Sequence, residues 1–482
     1  MINIKIQSAP VISALLGPIV MPLIAHAGPY HFSDILIGDR AMGMGGAFGG
    51  VADDSSALYY NPAGLAYAPS STLSSAVNAF QFTNREYRSL FAGKDSFFEM
   101  SSDIIPSFTG GVIDLKKVSD GMHGAFSLQN LSQQTANQND FVRRPDISLE
   151  YLHRAAKSQM SELLFSAGVG KKFGSNFALG ASLAGHRLTV DNQQFQDSTT
   201  KVTLRSIKIV NPNSANKSLF NSRAINTRFS ATANSIEMGG GIIYSPVSWM
   251  SIGLSGHTQL QIGQQLDFEA DELGSFHYDD LSRPLASDFE ALPDANADSA
   301  QAEIDLLTNK TLYRKSSNSG ATEVKYKFAP SRSTSSSGVT IGRSRTRLGF
   351  AAFPSPSLLF TLDLVGHDTR SEWILSPNLS TEYIVNVHQG IEYFLTPRFF
   401  VRQGLFTNLD ARPDEVTIRN VEHLDFAGSS LFLGLQSSES QFSIGAIYQY
   451  GWGEAIKAEG QTKPTLLRES KLLMAFTASH GL

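Results

Sequence analysis

Cysteine is absent from all 482 residues, so no disulfide and no thiolate ligand or nucleophile is available. A chain without thiols suits an oxidising compartment. Charge is sparse, at 17% of residues and a net −5, and it leaves no basic face for a nucleic-acid partner. Long apolar runs are missing beyond the N-terminus, so no helical span is expected. The 11 histidines are scattered, with no HExxH pair, which argues against a zinc site. No Gly-x-Ser-x-Gly elbow marks a nucleophile. The glycine-rich stretch 43–50 is not followed by Lys-Ser or Lys-Thr, so it is not a phosphate loop. The expectation is a protein that is not an enzyme and carries neither cofactor nor metal.

What is present is glycine and phenylalanine, 40 and 31 residues, in a chain only 41% hydrophobic. A membrane barrel has such an average, because lipid-facing and lumen-facing residues alternate. The N-terminus reads as a signal peptide over 1–27. Lys5 supplies the charge, Val11 to Ile24 the apolar stretch, and Ala25-His26-Ala27 the cleavage motif. Pro10, Pro18 and Pro22 make a stable spanning helix there unfavourable. A secreted chain that enters a bilayer without helices must close into a barrel.

Alternating stretches bear this out. Fourteen are expected near 72–82, 104–115, 122–130, 162–173, 176–190, 234–244, 248–263, 339–353, 357–368, 382–396, 398–408, 428–437, 440–453 and 470–480. From Tyr383 one face reads Tyr383, Val385, Val387, Gln389, Ile391, Tyr393 and Leu395, and the other Asn386, His388, Gly390 and Glu392. From Phe442 the apolar face ends in Tyr448, Tyr450 and Trp452, as an interfacial girdle would. Short turns alternate with long polar stretches, notably 191–233 and 264–338, a parity that a membrane barrel imposes. Stretch 264–338 carries an acidic run and then a basic one. It reads as a self-complementary solvated loop, with a surface for divalent cations or lipopolysaccharide as the alternative. A strand start at Thr322, followed by an insert at 331–338, is one reading there. The chain does not end in an aromatic residue, so either the last strand stops at Phe476 or it keeps its span to about 480 and insertion tolerates the departure.

The segment the chain is organised around is 39–67. Gly43, Gly45, Gly46, Gly49 and Gly50 let its backbone bend and approach other backbone. Asp53-Asp54-Ser55-Ser56 can cap a turn starting at Ala57, and Asn61-Pro62 ends it. Such a segment has few anchors of its own and needs a container.

In Arg40-Ala41-Met42-Gly43-Met44-Gly45-Gly46-Ala47-Phe48, Ala52-Asp53-Asp54 and Asn61-Pro62-Ala63-Gly64-Leu65, this segment resembles the N-terminal hatch of the FadL/TodX family of outer-membrane channels for hydrophobic compounds. The resemblance implies a monomeric, all-β transmembrane antiparallel barrel of about fourteen strands over 72–482, with residues 28–71 as a hatch in its lumen. It implies passive uptake of a hydrophobic small molecule across the outer membrane, long-chain fatty acids first. Outer-membrane lipid and lipopolysaccharide would surround the barrel. The hatch would move through Gly43, Gly45, Gly46, Asp53, Asp54, Asn61, Pro62 and Ala63, with Asn61-Pro62-Ala63 pinning it to the wall. Relatives that serve as secretion or attachment adaptors supply the alternative, and a polar diffusion porin a third. The lumen-facing candidates are His186, His257, Arg347, Thr361, Asp363, Asn386, His388 and Glu392. Asp363 should face inward, since a lipid-facing carboxylate costs up to ~2–4 kcal/mol, and it can pair with Arg347 across a hairpin.

Overall fold

The computed structural model describes residues 30–32, 35–69, 71–88, 97–144, 149–201, 207–210, 219–278, 285–298, 332–369, 381–417, 422–456 and 463–481, with short pieces between 300 and 326. The expected signal peptide lies outside the described residues. No helix among those described is long and apolar enough to cross a membrane.

Fourteen antiparallel strands build the wall. They are β1 (Thr72–Tyr87), β2 (Phe97–Asp114), β3 (Met122–Arg144), β4 (Leu149–Phe173) and β5 (Phe177–Lys201). Next come β6 (Leu219–Val247), β7 (Met250–Tyr278), β8 (Arg332–Ser355), β9 (Leu358–Thr369) and β10 (Ile384–Phe394). The last four are β11 (Phe399–Asn408), β12 (Glu422–Gln436), β13 (Ser440–Ala455) and β14 (Thr465–Gly481). Each pairs with its neighbour in sequence, and β14 closes the circle on β1. Closure pairs every strand on both sides over part of its length, which is what lets strands stand in lipid; β2 and β3 part above Phe108↔Gln129. Fourteen of fourteen expected strands are present, in order.

Alternation decides what faces lipid. On β10 the side chains of Val385 and Val387 point out at 43% and 41% exposure, while Asn386 and His388 are buried inside. On β13, Phe442, Ile444, Tyr448 and Trp452 face out, and Ser443 and Gln449 face in. Tyr450 and Trp452 stack with ring centroids 6.4 Å apart toward the end of β13.

Two boundaries differ from the sequence expectation, and a third is settled between two readings. The stretches 131–161, 191–233 and 264–338 are strand over much of their length: β3 to β7 and β8 continue far into them, β6 pairing with β7 from Leu219↔Tyr278 downward. About 9–11 residues cross a bilayer, and β6 and β7 have 29 each. In these stretches the outward face turns polar and the buried inward positions are mostly small or polar, so apolar alternation fades while the backbone ladder continues. The piece Thr322–Tyr326 does pair with the far end of β7, on the edge that β8 takes from Arg332, and residues 327–331 between them lie outside the described residues. The expected insert at 331–338 is strand from Arg332 onward, with register shifts at Ser337/Thr340 and Ile341/Ser344. Of the two endings open for the final strand, the longer one holds: it runs to Gly481, paired with Thr72 on one side and with β13 on the other. Backbone pairing carries it past the last aromatic residue.

The lumen is filled at the short-turn end by residues 35–68. This segment folds as helix α1 (Asp39–Gly43), helix α2 (Ala57–Tyr60) and a 3-10 turn Pro62–Tyr67. Its Met42, Met44, Phe48, Leu58 and Leu65 are fully buried against Phe108, Leu164, Leu359, Phe406 and Phe432 of the wall. Each such side chain contributes about 1.5–3 kcal/mol of burial. Ahead of α1, Ile35 and Leu36 are buried too. The chain climbs from there to Tyr30, whose carbonyl accepts from Ala411 N–H at 3.1 Å.

Candidate functional site

The hatch is seated by backbone contact before it is held by side chains. The inward positions of the wall facing it are glycines, and they adjoin one another in the ladder: Gly180↔Gly241, Gly253↔Gly349 and Gly390↔Gly404. A Cβ on Gly404 would collide with the Gly45 main chain, and one on Gly349 with Gly49 and Gly50. Gly45 itself has φ +64, a left-handed turn that suits glycine. Two backbones thus meet with no side chain between them. This belt was missed in the sequence, although glycine on the inward phase of an alternating strand is its signal.

Asn61 ties the hatch to the wall. Its Nδ2 donates to Gly49 O at 2.9 Å and to Ile242 O of β6 at 3.1 Å, and its Oδ1 accepts from Ala63 N–H at 3.2 Å. Pro62 then starts the 3-10 turn, where its missing N–H costs nothing. Asp54 Oδ1 accepts from the N–H and Oγ–H of Ser56, just ahead of α2. Burial pushes the Asp54 carboxyl up to about 6, with the Ser56 bonds opposing.

Charged groups complete the seat. Arg40 of α1 reaches Asp53 at 2.7 Å and Glu392 of β10 at 2.6 Å. Burial works against its charge, but Asp53 and Glu392 hold the guanidinium protonated beyond its usual range. Glu392 also accepts from Arg402 Nε at 2.6 Å, and Arg402 Nη1 lies 3.3 Å from Asp39. Asp39 takes further bonds from Gln441 Nε2 at 2.7 Å, from Ser443 and from Thr477. On the next sector, Asp363 Oδ2 accepts from Phe48 N–H, Gly49 N–H and Arg347 Nη1 at 2.9, 2.8 and 2.6 Å. Arg347 and Asp363 therefore meet, diagonally across β8 and β9. Arg347 also donates to Gly46 O at 3.0 Å, and His388 Nδ1–H to Gly45 O at 2.8 Å.

The remaining lumen candidates stand elsewhere. Thr361 donates to Gly390 O across the wall at 3.4 Å. Asn386 sits higher and accepts from Leu409 N–H at 2.9 Å, holding the chain after β11. His186 and His257 belong to a small polar chamber above the hatch, of about 40 Å³. There His186 Nε2–H donates to Glu162 at 2.8 Å, and Gln259 donates to His186 Nδ1 at 2.5 Å. His257 Nδ1 lies 3.1 Å from Glu237. Arg343 and Arg345 reach the same two glutamates, and their guanidiniums cover the rings of Phe32 and Tyr59. Phe32 stacks on His367 at 4.4 Å. Among the described residues, His31 Nδ1, His257 Nε2 and His367 Nε2 have no hydrogen-bond partner, and all three side chains are buried. Sequence reasoning missed Glu162, Glu237, Arg343 and Arg345 although all four lie on expected strands, because strand pattern alone does not say which inward charges meet across the lumen.

The wall is not paired evenly. β2 pairs with β3 only from Phe108↔Gln129 to Asp114↔His123. Beyond that β2 follows β1, up to Tyr87↔Phe97, and β3 follows β4. Pro106, which offers no N–H to a ladder, stands just past the last pair. Phe108 and Leu131, at the base of this parting, pack in the same core as the hatch.

No sequence-family model matches this chain, and no curated protein matches it in sequence. Solved structures match in fold. A FadL homologue from Pseudomonas aeruginosa is 12% identical, with a TM-score of 0.57 over 93% of this chain and 99% of its own. The toluene transporter TodX of P. putida is 11% identical, with a TM-score of 0.51 over 92% and 98%. The monoaromatic hydrocarbon channel CymD is 10% identical, with a TM-score of 0.50 over 94% and 99%. At such identities the likeness is one of fold: the chain is a fourteen-stranded FadL/TodX-type barrel with its lumen plugged.

Proposed function

We propose that this FadL/TodX-type barrel is an outer-membrane channel for passive uptake of hydrophobic molecules, gated by its N-terminal hatch. The observation that carries the proposal is the parting of β2 from β3 directly beside the hatch. A plugged lumen with a side exit suits a solute that prefers lipid to water. The molecule enters between the outer loops, rests above the hatch, and leaves sideways when the hatch shifts. The FadL homologue, TodX and CymD support the same reading by fold and by name.

Within that class we favour long-chain fatty acids over plain hydrocarbons. The chamber offers Arg343 and Arg345 as donors, and the free nitrogens of His257 and His31 as acceptors. His257 Nδ1 is committed to Glu237, and His31 Nε2–H to Leu424 O at 2.6 Å. A fatty-acid carboxylate, ionised beside two guanidiniums, accepts hydrogen bonds from them, a match that toluene cannot make. The adaptor reading has one observation of its own: β3 to β7 rise far above the lipid band as an ordered wall.

The test is a lock on the parting. Ser107→Cys with Asn130→Cys, in a chain with no other cysteine, places thiols just beyond the last β2–β3 pair. Uptake of labelled oleate by cells carrying this variant should stop on oxidation and return on reduction. Protein-dependent uptake that ignores the lock rules out the side exit. No protein-dependent uptake at all moves the function to the adaptor.

A further inference from the structure

The wall that rises on the β3 to β5 side carries an aromatic cluster the channel does not use. Phe141 of β3 is 69% exposed and Phe195 of β5 40%. Between them stand Tyr151 and His153 of β4. The ring centroids lie 4.7 Å apart for Phe141–Tyr151, 6.3 Å for Phe141–His153 and 6.0 Å for His153–Phe195.

Register fixes which way they face. On β4 the lipid-facing phase holds Leu163 and Phe165, and it continues unshifted to His153. On β5 the same phase holds Leu183 and reaches Phe195. The extra residue Leu131 in β3 changes that strand's phase, and so puts Phe141 opposite His153. The cluster therefore points away from the lumen, along the membrane plane. From Leu163 to His153 the strand climbs about 33 Å, or about 25 Å of height at a tilt near 40°. Ser161, Gln159, Lys157 and Ala155 occupy the four intervening outward positions, so the rings are not part of the lipid band or its girdle. Asn139, bonded to His153 at 2.8 Å, and the exposed Gln193 border the rings with amides.

We propose that this cluster binds the oligosaccharide chains of the glycolipid standing beside the barrel in its own outer leaflet. Pyranose rings present flat C–H faces that stack on aromatic rings, and their hydroxyls need amides at the edge. A fixed sheet supplies both without ordering cost. The patch offers on the order of 300 Å² of ring surface, well short of the ~800 Å² per partner of a stable protein interface. That size suits two or three sugar units and not a second copy of the chain. Height and direction set the source, since both point into the sugar layer of neighbouring molecules. This inference rests on the outer-membrane reading above.

The experiment uses the full-length protein in detergent and the sugar part of lipopolysaccharide, freed of lipid A by mild acid. Binding is read by saturation-transfer NMR on the sugar protons, for the native chain and for Phe141→Ser with Phe195→Ser. Both positions are exposed, so the variant should keep the heat-modifiable gel mobility of a folded barrel. The expected result is saturation transfer from the native protein to the sugar protons that falls roughly tenfold with the variant. No transfer from the native chain, or equal transfer from both, overturns the proposal. A native dimer in sedimentation that the variant loses also overturns it, and gives the patch to a second copy. Retained gel mobility with unchanged oleate uptake keeps a failure here separate from a failure of the channel reading.

Discussion

Replacing Asn61 by alanine is the sharpest test of how the hatch is held. The side chain is fully buried and makes three hydrogen bonds. Ile242 stays in its ladder and loses little. The Gly49 carbonyl and the Ala63 amide lose a partner in a place water does not reach. A buried group left unpaired costs about 1–3 kcal/mol, so the two together weaken docking by about 3 kcal/mol. At 1.4 kcal/mol per decade, that is roughly a hundredfold rise in the population of undocked hatch. Hydrogen exchange reads this directly. Hatch amides between Gly45 and Gly64 should exchange about a hundred times faster in Asn61→Ala, while β9 to β13 keep native protection. Exchange within threefold of native across the hatch would refute the assignment of Asn61 as the tie, and would leave the glycine belt and ion pairs to hold the segment.

Three further outcomes follow from the same seat. Gly404→Val drives a side chain into the Gly45 backbone, an overpacking that costs about 1–3 kcal/mol or more; the hatch should become protease-sensitive in a barrel that keeps its gel mobility, and continued protection would count against close backbone contact. Asp363→Ala leaves Arg347 buried without its carboxylate at a cost of about 3–5 kcal/mol; thermal unfolding should drop clearly, with most of it recovered by Arg347→Met with Asp363→Leu, and a native-like single variant would be the contrary result. Asp54, raised to about 6 from 3.8, binds its proton more tightly in the docked hatch than in a released one. Docking should then strengthen as pH falls from above 6 to below 3.8, by on the order of 1–3 kcal/mol, and Asp54→Asn should remove the dependence in an exchange–pH series.

The sequence by itself determined the strand count, the order and the facing of the wall. Period-2 alternation is a local property, and burial on one side only keeps it visible, as in Val385–Val387 against Asn386–His388. It also determined where the backbone must be free of side chains, through the glycines after Arg40, and that Asp363 belongs inside. Local signals weaken where the inward face turns polar. The stretches 131–161 and 191–233 read as loop because their buried positions are mostly small or polar, such as Ser132, Ser158 and Ala233, yet their backbones pair. Only the tertiary structure decided which inward residues meet. Arg40, Glu392 and Arg402 come from three elements, and their distances exist only once the barrel has closed around the hatch. The same holds for the chamber, whose glutamates, arginines and histidines are gathered from β4, β5, β6, β7 and β8. It holds as well for the parting of β2 from β3. Pro106 marks a weak point in the sequence, but how far the strands separate beyond it is set by which neighbour each one follows, and closure of the whole wall decides that.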